Sequence, residues 1–460
     1  MLIWKSQSDN IRVASNRYRC LFPVKYLKKI GYRSLIYSGK DRIHFYLKPD
    51  AIIFVKSFTP HDLNLAQTAS QLGIPIILDI CDNILADDYG FQSTIKPQEF
   101  FIEMSQLASV IVTTGEALKI AIENKLNIST PILIIPDGNE TILDFDEYNL
   151  MIKANIYWKR IIYIFDPHFL VEKTQGTYKK FSQKISKSTI NKFKLARKTL
   201  KKIINKFKFK IKKIYFYLNK SPLEDAIAYE VSGQDTIISA EPTTQDLIPD
   251  CSVEQPLGFK LVSASQPETS NFQIDPQESH QQLKQIIWFG NHGVKPGIGM
   301  LALLNIKDDL WEISQQVNFC LHIVSDNYEK YCQYIKPLPF PTRYTPWDFF
   351  VSRECISQSD VTIIPTSVDP FNVCKSANRA VLSLSLGVPV VATKTPALIP
   401  FQDCSILDDW KSGILSYLTN PELVDRHIAK AQEIISQDYS GEAIARQWAD
   451  AINLVIAGKI

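Results

Sequence analysis

Lys375, Ser376, Asn378 and Arg379 fall within one run of five residues, and Asp369 stands six positions ahead of them. Two cations, a hydroxyl and an amide at that spacing supply the donors that an anion such as phosphate needs. Their setting is VTIIPTSVDPFNVCKSANRAVLSLSLGVPVVAT, residues 361–393. Residues 361–365 are a short apolar run of the kind buried in a parallel sheet, Gly387 closes the helix that follows, and VPVVAT is a second such strand. A loop at the carboxyl end of a parallel strand, running into a helix N-terminus, is where doubly wound sheets hold phosphates. The plainer alternative is an ordinary strand–helix–strand unit with a solvated polar loop.

Other segments carry candidate chemistry at similar places. In IIWFGNHGVKPGIGML (286–301), Gly290, Gly293, Gly297 and Gly299 follow a strand, and Lys295 lies among them. A glycine-rich turn lets backbone N–H groups approach a phosphate, and Lys295 would add a full charge. Tight strand-to-helix packing explains the same glycines. VASNRYRCLFPVKYLKKIGY (13–32) opens a helix after a strand, with Ser15 or Asn16 as its N-cap and Arg17 and Arg19 near its tip. The two arginines face an anion or form a solvated pair. ILDICDN (77–83) places Asp79 and Asp82 at the end of a buried strand, which in such sheets points into the crevice. One of them could orient a substrate hydroxyl or take its proton. Otherwise Asp82 or Asn83 caps the next turn and Asp79 bonds a neighbouring backbone. FVKSFTPHD (54–62) adds Lys56 and His61 at another strand end, with a structural role as the alternative for His61. Trp347 and Asp348 precede a further helix, where Trp347 is a base or sugar platform or a core aromatic.

Short apolar runs alternating with helical patterns must position these groups. Strands are expected at 33–38, 51–57, 74–80, 109–114 and 131–137, with helices near 20–30, 61–72, 98–107 and 115–123. The alternation resumes with strands at 286–290, 318–326, 361–365 and 388–393, and ends on an amphipathic helix over 441–458. NIYWKRIIYIFDPHFL (155–170) reads as strand or helix. The organisation expected is a first domain over 1–145, an inserted segment over 146–220, a linker over 221–283, a second domain over 284–440 and a closing helix over 441–460.

At 460 residues the chain exceeds what one core usually fills, and 45% apolar with 22% charged residues marks it as globular. No run of about 18 apolar residues suggests a spanning helix, and MLIWKSQSDNIRV lacks an apolar core of signal-peptide length. The eight cysteines are scattered without a C-x-x-C pair, which favours reduced thiols and a cytoplasmic setting over a disulfide scaffold or a zinc site. Neither a Ser-His-Asp arrangement nor a metal-binding cluster emerges, so no metal or other cofactor is expected.

The net charge of +3 hides strong segregation. Residues 173–223 hold 17 Lys or Arg and no Asp or Glu, which leaves the remaining chain at −14. Within 178–218, Phe193, Ala196, Leu200, Ile203, Ile204, Phe207, Ile211 and Ile214 recur at three- and four-residue steps among lysines. That is the pattern of a basic amphipathic helix suited to an anionic membrane surface. A helix packed on the chain's own acidic domains is the alternative, and nucleic acid is the less favoured partner. Residues 221–283 combine Ser, Pro, Gln and acidic residues with little periodicity, the composition of a disordered linker.

The 361–393 stretch resembles the donor-sugar half of GT-B glycosyltransferases, whose region runs P-x-x-x-x-x-F-x-x-x-K-S-x-N-R…G-x-P-V-V-A. Pro365, Phe371, Lys375, Ser376, Asn378, Arg379, Gly387, Pro389 and Ala392 occupy those places. The 13–32 segment is similar to the S-x-R-x-R-x-x-x-P…L…G opening of some N-domains in that family. The resemblance implies two Rossmann-like doubly wound βα domains facing across a cleft, with the basic arm and linker inserted. It implies a nucleotide-sugar donor whose diphosphate meets Gly290, Gly293, Lys295, Asp369, Ser376 and Asn378, with Lys375 and Arg379 stabilising the leaving group. Ser15, Arg17 and Arg19 would face the acceptor or the donor's phosphates from the first domain, with Asp82 and His61 as catalytic groups near the acceptor, a lipid-linked or polysaccharide hydroxyl at the cytoplasmic membrane face. One departure stands out. Many retaining members carry two glutamates here; the first falls on Asp369 at best, and the second falls on Leu382. A GT-B-shaped binding or scaffold protein is therefore the alternative.

Overall fold

The computed structural model describes residues 1–39, 41, 43, 45–86, 96–164, 283–291, 293 and 297–460. The expected basic helix at 178–218, Lys295 and all but the last residue of the expected linker lie outside these residues. The first sheet has six parallel strands, β1 (Leu2–Ser6), β2 (Ser34–Ser38), β3 (Ala51–Val55), β4 (Ile76–Ile80), β5 (Val110–Thr113) and β6 (Ile132–Ile134), in the order β2-β1-β3-β4-β5-β6. AIIFV of β3 and IILDI of β4 are buried at every position, because helices cover both faces. Each fully buried Ile or Phe there contributes about 1.5–3 kcal/mol. The covering helices are α1 (Phe22–Lys29), α2 (Pro60–Gln71), α3 (Pro97–Ser105), α4 (Glu116–Lys125) and α5 (Ile142–Ile164). Thr59 and Asp62 form a reciprocal capping box that starts α2.

β1 carries a lysine in its middle. Lys5 is fully buried and its Nζ lies 2.9 Å from Asp62 Oδ1, so the charge is neutralised by the same aspartate that caps α2. The helix after β1 begins at Ala14, with Val13 as its uncapped N-cap, so neither Ser15 nor Asn16 performs the capping expected of them. Asn16 instead accepts a hydrogen bond from Ser6 Oγ at 3.0 Å. The segment left open as strand or helix continues α5 to Ile164, and the expected domain boundary at residue 145 falls inside that helix. Asn155 ties α5 to β2 through both the N–H and the carbonyl of Ile36, at 2.9 and 2.6 Å.

The second sheet is also six-stranded and parallel: β7 (Lys284–Phe289), β8 (Phe319–Ser325), β9 (Thr342–Pro346), β10 (Val361–Ile364), β11 (Val390–Ala392) and β12 (Ile406–Leu407), ordered β12-β11-β10-β7-β8-β9. Its helices are α6 (Lys307–Ser314), α7 (Phe349–Ser357), α8 (Asn378–Ser385), α9 (Trp410–Thr419) and α10 (Pro421–Ile434). β1, β9 and β12 were not among the strand ranges expected. β9 and β12 are the two edges of this sheet: TRYTP has no apolar run, and β12 is only two residues long. The last helix, α11 (Gly441–Ile456), leaves the second sheet and packs on α1 of the first. Its Trp448 is fully buried with its ring 5.0 Å from that of Trp4. Gly441 has no side chain because a Cβ there would run into the ring of Tyr26.

Each sheet reverses its strand order once, between β1 and β3 in the first and between β7 and β10 in the second. Ligands of open α/β sheets bind at such reversals, outside the carboxyl ends of the strands.

Candidate active site in the cleft

A cavity of about 680 Å³ lies where the two reversals face each other, lined by residues of both sheets. On the second side, the chain after β10 forms a loop and enters α8. Ala377, its N-cap, offers no side chain to the first turn, so the backbone N–H groups of Asn378, Arg379 and Ala380 stand uncapped at the cavity wall. Arg379 lies in the same wall. Among the described residues it makes no ion pair and no hydrogen bond, and burial lowers its pKa from 12.5 to about 10. A guanidinium without a counter-ion in a cavity is a site that an anion completes. Gly290, at the end of β7, has φ of +150°, a conformation that favours glycine, and a Cβ there would stand in ordinary contact with Arg379 Nη1 at 3.6 Å and the Trp288 ring at 3.5 Å.

The glycine-rich turn closes on itself. A side chain at Gly293 would meet the carbonyl of Ile298, and one at Gly299 would lie 2.6 Å from the Gly293 nitrogen. With φ of +74° and +61°, both also occupy conformations that favour glycine. The turn leads into a 3₁₀ segment, Gly299–Ile306, and only then into α6.

On the first side, Asp82 follows β4. Its Oδ2 accepts from Lys56 and its Oδ1 from Lys375, which reaches across from the second side. Burial alone would raise the Asp82 pKa, but Lys375 and Lys56 outweigh it and hold the carboxyl well below the usual range. Two further bonds cross nearby: Ser376 Oγ donates to Asp137 Oδ2 at 2.6 Å, and Asn83 Nδ2 donates to the Pro370 carbonyl at 2.8 Å. Arg19 lines the cavity at its base, fully engaged by Asp79 at 2.5 Å, Asp137 at 3.3 Å and the Ile135 carbonyl at 2.7 Å. Asp79 is therefore the buried partner of Arg19.

The structure thus brings Ser15, Arg19, Asp82, Gly290, Gly293, Lys375, Ser376, Asn378 and Arg379 to one cavity. It places the other described candidates elsewhere. Arg17 turns away into a buried cluster, its Nε 2.9 and 3.0 Å from the two oxygens of Glu140, which Arg353 of α7 also binds at 3.3 Å. His61 sits on the first turn of α2 with Nε2 3.4 Å from the Asp41 carbonyl. Asp369 accepts from Ser367 Oγ at 2.5 Å and from the N–H groups of Phe371 and Asn372 at 2.9 Å, so its carboxylate holds its own loop together. Leu382 packs with Trp347 against the cluster around Ile287 and Phe289. Trp347 is thus a packing aromatic beside Arg17, and Asp348 caps α7. Asp137, Thr366, Thr393 and Thr395 line the cavity without having been singled out from sequence. Asp137 had a signal, since it closes the apolar run before it as Asp82 nearly does; Glu140 had none, because its partners lie 123 and 213 residues away.

No family model matches the chain, and no curated protein matches it in sequence. Its fold is similar to that of sucrose-phosphate synthase from Thermosynechococcus elongatus, with a TM-score of 0.52 over 100% of both chains at 10% identity. The fold is GT-B. TarM is similar at a TM-score of 0.47 and 12% identity, over 89% of this chain and 57% of that one. WaaG, a glycosyltransferase involved in lipopolysaccharide biosynthesis, is similar at 0.47 and 10%, over 98% and 99%. This GT-B chain therefore spans little more than half the length of TarM. At these identities the likeness is one of fold, and the chemistry rests on the cleft itself.

Proposed function

We propose that this chain is a glycosyltransferase that moves a sugar from a nucleotide-sugar donor to a hydroxyl of a lipid-linked or polysaccharide acceptor. The observation that carries the reading is Arg379: a guanidinium without a counter-ion among the described residues, beside an uncapped helix N-terminus, at the strand reversal of the second sheet. The donor's diphosphate would lie on that helix tip, with Lys375 and Arg379 stabilising the charge that grows as the sugar departs. One such preorganised donor is worth about 2.7–4 kcal/mol of barrier. The acceptor hydroxyl would enter from the first side, near Ser15 and Asp82. GT-B neighbours support the reading at the level of fold, and one of them is a complex that contains UDP.

A second reading is a GT-B-shaped binding protein without turnover. It is favoured by Leu382, which is packed among apolar side chains, and by Asp369, which is spent on its own loop, so neither supplies a carboxylate for a ribose. Calorimetric titration with UDP and GDP, followed by hydrolysis assays with the matching sugar nucleotides, separates the two. Binding with turnover supports the transferase, binding without turnover supports the second reading, and no binding of either nucleotide removes both.

The proposal places the protein at the cytoplasmic face of a membrane. Among the described residues no helix is long and apolar enough to cross one. The support is the basic amphipathic pattern of residues 178–218, 17 of whose surrounding residues 173–223 are Lys or Arg with no acidic residue.

A further inference from the structure

Two lysines converge on one carboxylate in the cleft. Asp82 Oδ2 is held by Lys56, from the same sheet, and Oδ1 by Lys375, from the loop before α8. The three differ in freedom. The Asp82 side chain is 13% exposed and that of Lys56 is 23%, whereas Lys375 is 44% exposed at the cavity mouth. Lys56 also has φ of +46°, a left-handed conformation that L residues rarely adopt, while its N–H bonds the Asp79 carbonyl at 2.9 Å. A strained backbone kept at a site is one that the surroundings hold in place. The Lys56–Asp82 pair is therefore the fixed element, and Lys375, on its flexible stem, is the one that can swing.

We propose that Asp82 holds Lys375 until a donor binds and then hands it to the donor's diphosphate, and that Oδ1 then receives the acceptor hydroxyl. This rests on the donor reading given above. A diphosphate carries more negative charge than one carboxylate, so it draws Lys375 once it lies on the α8 tip. Oδ2 stays on Lys56, which keeps the carboxylate aimed. Until the donor arrives, the Lys375 ammonium stands over Oδ1 and blocks the approach of an acceptor hydroxyl from the cavity side, so donor binding opens that acceptor position. Asp82 and Lys56 thereby impose an order, donor first, without a moving lid.

The test is calorimetric titration of the full chain with UDP, GDP and inorganic pyrophosphate, using wild type, Asp82→Asn, Lys375→Met and the double variant. Removing the competitor for Lys375 should tighten binding of whichever probe binds by about tenfold, within the usual range of coupling between two sites. That gain should vanish in the Lys375→Met background, and sugar transfer by Asp82→Asn should slow although its donor binds more tightly. A gain of equal size in both backgrounds is a field effect of the lost charge and overturns the hand-over. Unchanged affinity in Asp82→Asn overturns it too, while leaving the donor reading intact. Wild type that binds none of the three probes overturns the donor reading and the hand-over with it. Asp82→Ser repeats the test if the Asn variant folds poorly.

Discussion

Arg379 is held near a pKa of about 10 by burial, with no partner among the described residues to offset the cost of its charge. Replacing it with Ala removes a desolvated cation and should leave thermal stability unchanged or slightly raised. The same change should weaken UDP or GDP binding by roughly 10- to 150-fold, since a charge-assisted bond to phosphate is worth about 1.5–3 kcal/mol. Arg379→Lys should recover part of the loss, because an ammonium restores the charge but not the planar fork. Calorimetry alongside a thermal melt checks this: equal affinity in wild type and Arg379→Ala would remove Arg379 from the donor site. Asp369 shows how a residue can fit a sequence pattern and still be unavailable, since its acceptor capacity is taken by Ser367, Phe371 and Asn372.

The second sheet contains its own pH dependence. His322 of β8 is buried, its Nδ1 accepts from Arg343 Nη2 at 2.9 Å, and its Nε2 lies 2.8 Å from Thr345 Oγ1. Burial first, and Arg343 second, lower its pKa from 6.5 to about 4. Between those values the unfolded chain takes up a proton that the folded one refuses. Stability should therefore fall as pH drops from about 6.5 towards 4, by at most about 1.4 kcal/mol per pH unit from this group, and be insensitive to it above that window. In His322→Gln, whose amide can still donate to Thr345, the pH slope should flatten. Urea unfolding at several pH values reads the difference, and parallel slopes in the two proteins would count against this role. β9 and β12 hydrogen-bond like their neighbours but hold no fully buried residue, so pairing is what reveals them.

The two halves are joined at buried charges as well as at the cleft. Glu140, after β6, is fully buried between Arg17 of the first half and Arg353 of the second. Glu140→Ala would leave two buried guanidiniums without their carboxylate, and removing one partner of a buried pair costs about 3–5 kcal/mol. Scanning calorimetry should show a lower melting temperature for both halves, since each loses a contact; an unchanged melt would mean that water reaches the cluster. At the same scale, full-length protein should co-sediment with anionic liposomes, more with anionic lipid and less with salt. Replacing Phe193, Leu200, Ile203 and Phe207 with Ser should abolish that binding while keeping the charge. Binding that survives those substitutions and responds only to lysine removal would point to a polyanion instead.

Periodicity and strand ends determined much of this protein in advance. The central strands, the helices between them and the loop carrying Lys375 to Arg379 are local patterns, because a strand buried on both faces must be apolar throughout and a helix start must offer its N–H groups. The residues at those strand ends, Asp82, Lys56 and Gly290, were legible for the same reason. What chain distance hides, only the fold decided. Arg17 and Arg19 are two positions apart, yet Glu140 draws one into the core and Asp79 and Asp137 hold the other at the cavity. Lys375 meets Asp82 across 293 residues. A buried cation goes to the carboxylate that desolvation and geometry bring to it, and that carboxylate has no fixed place in the sequence.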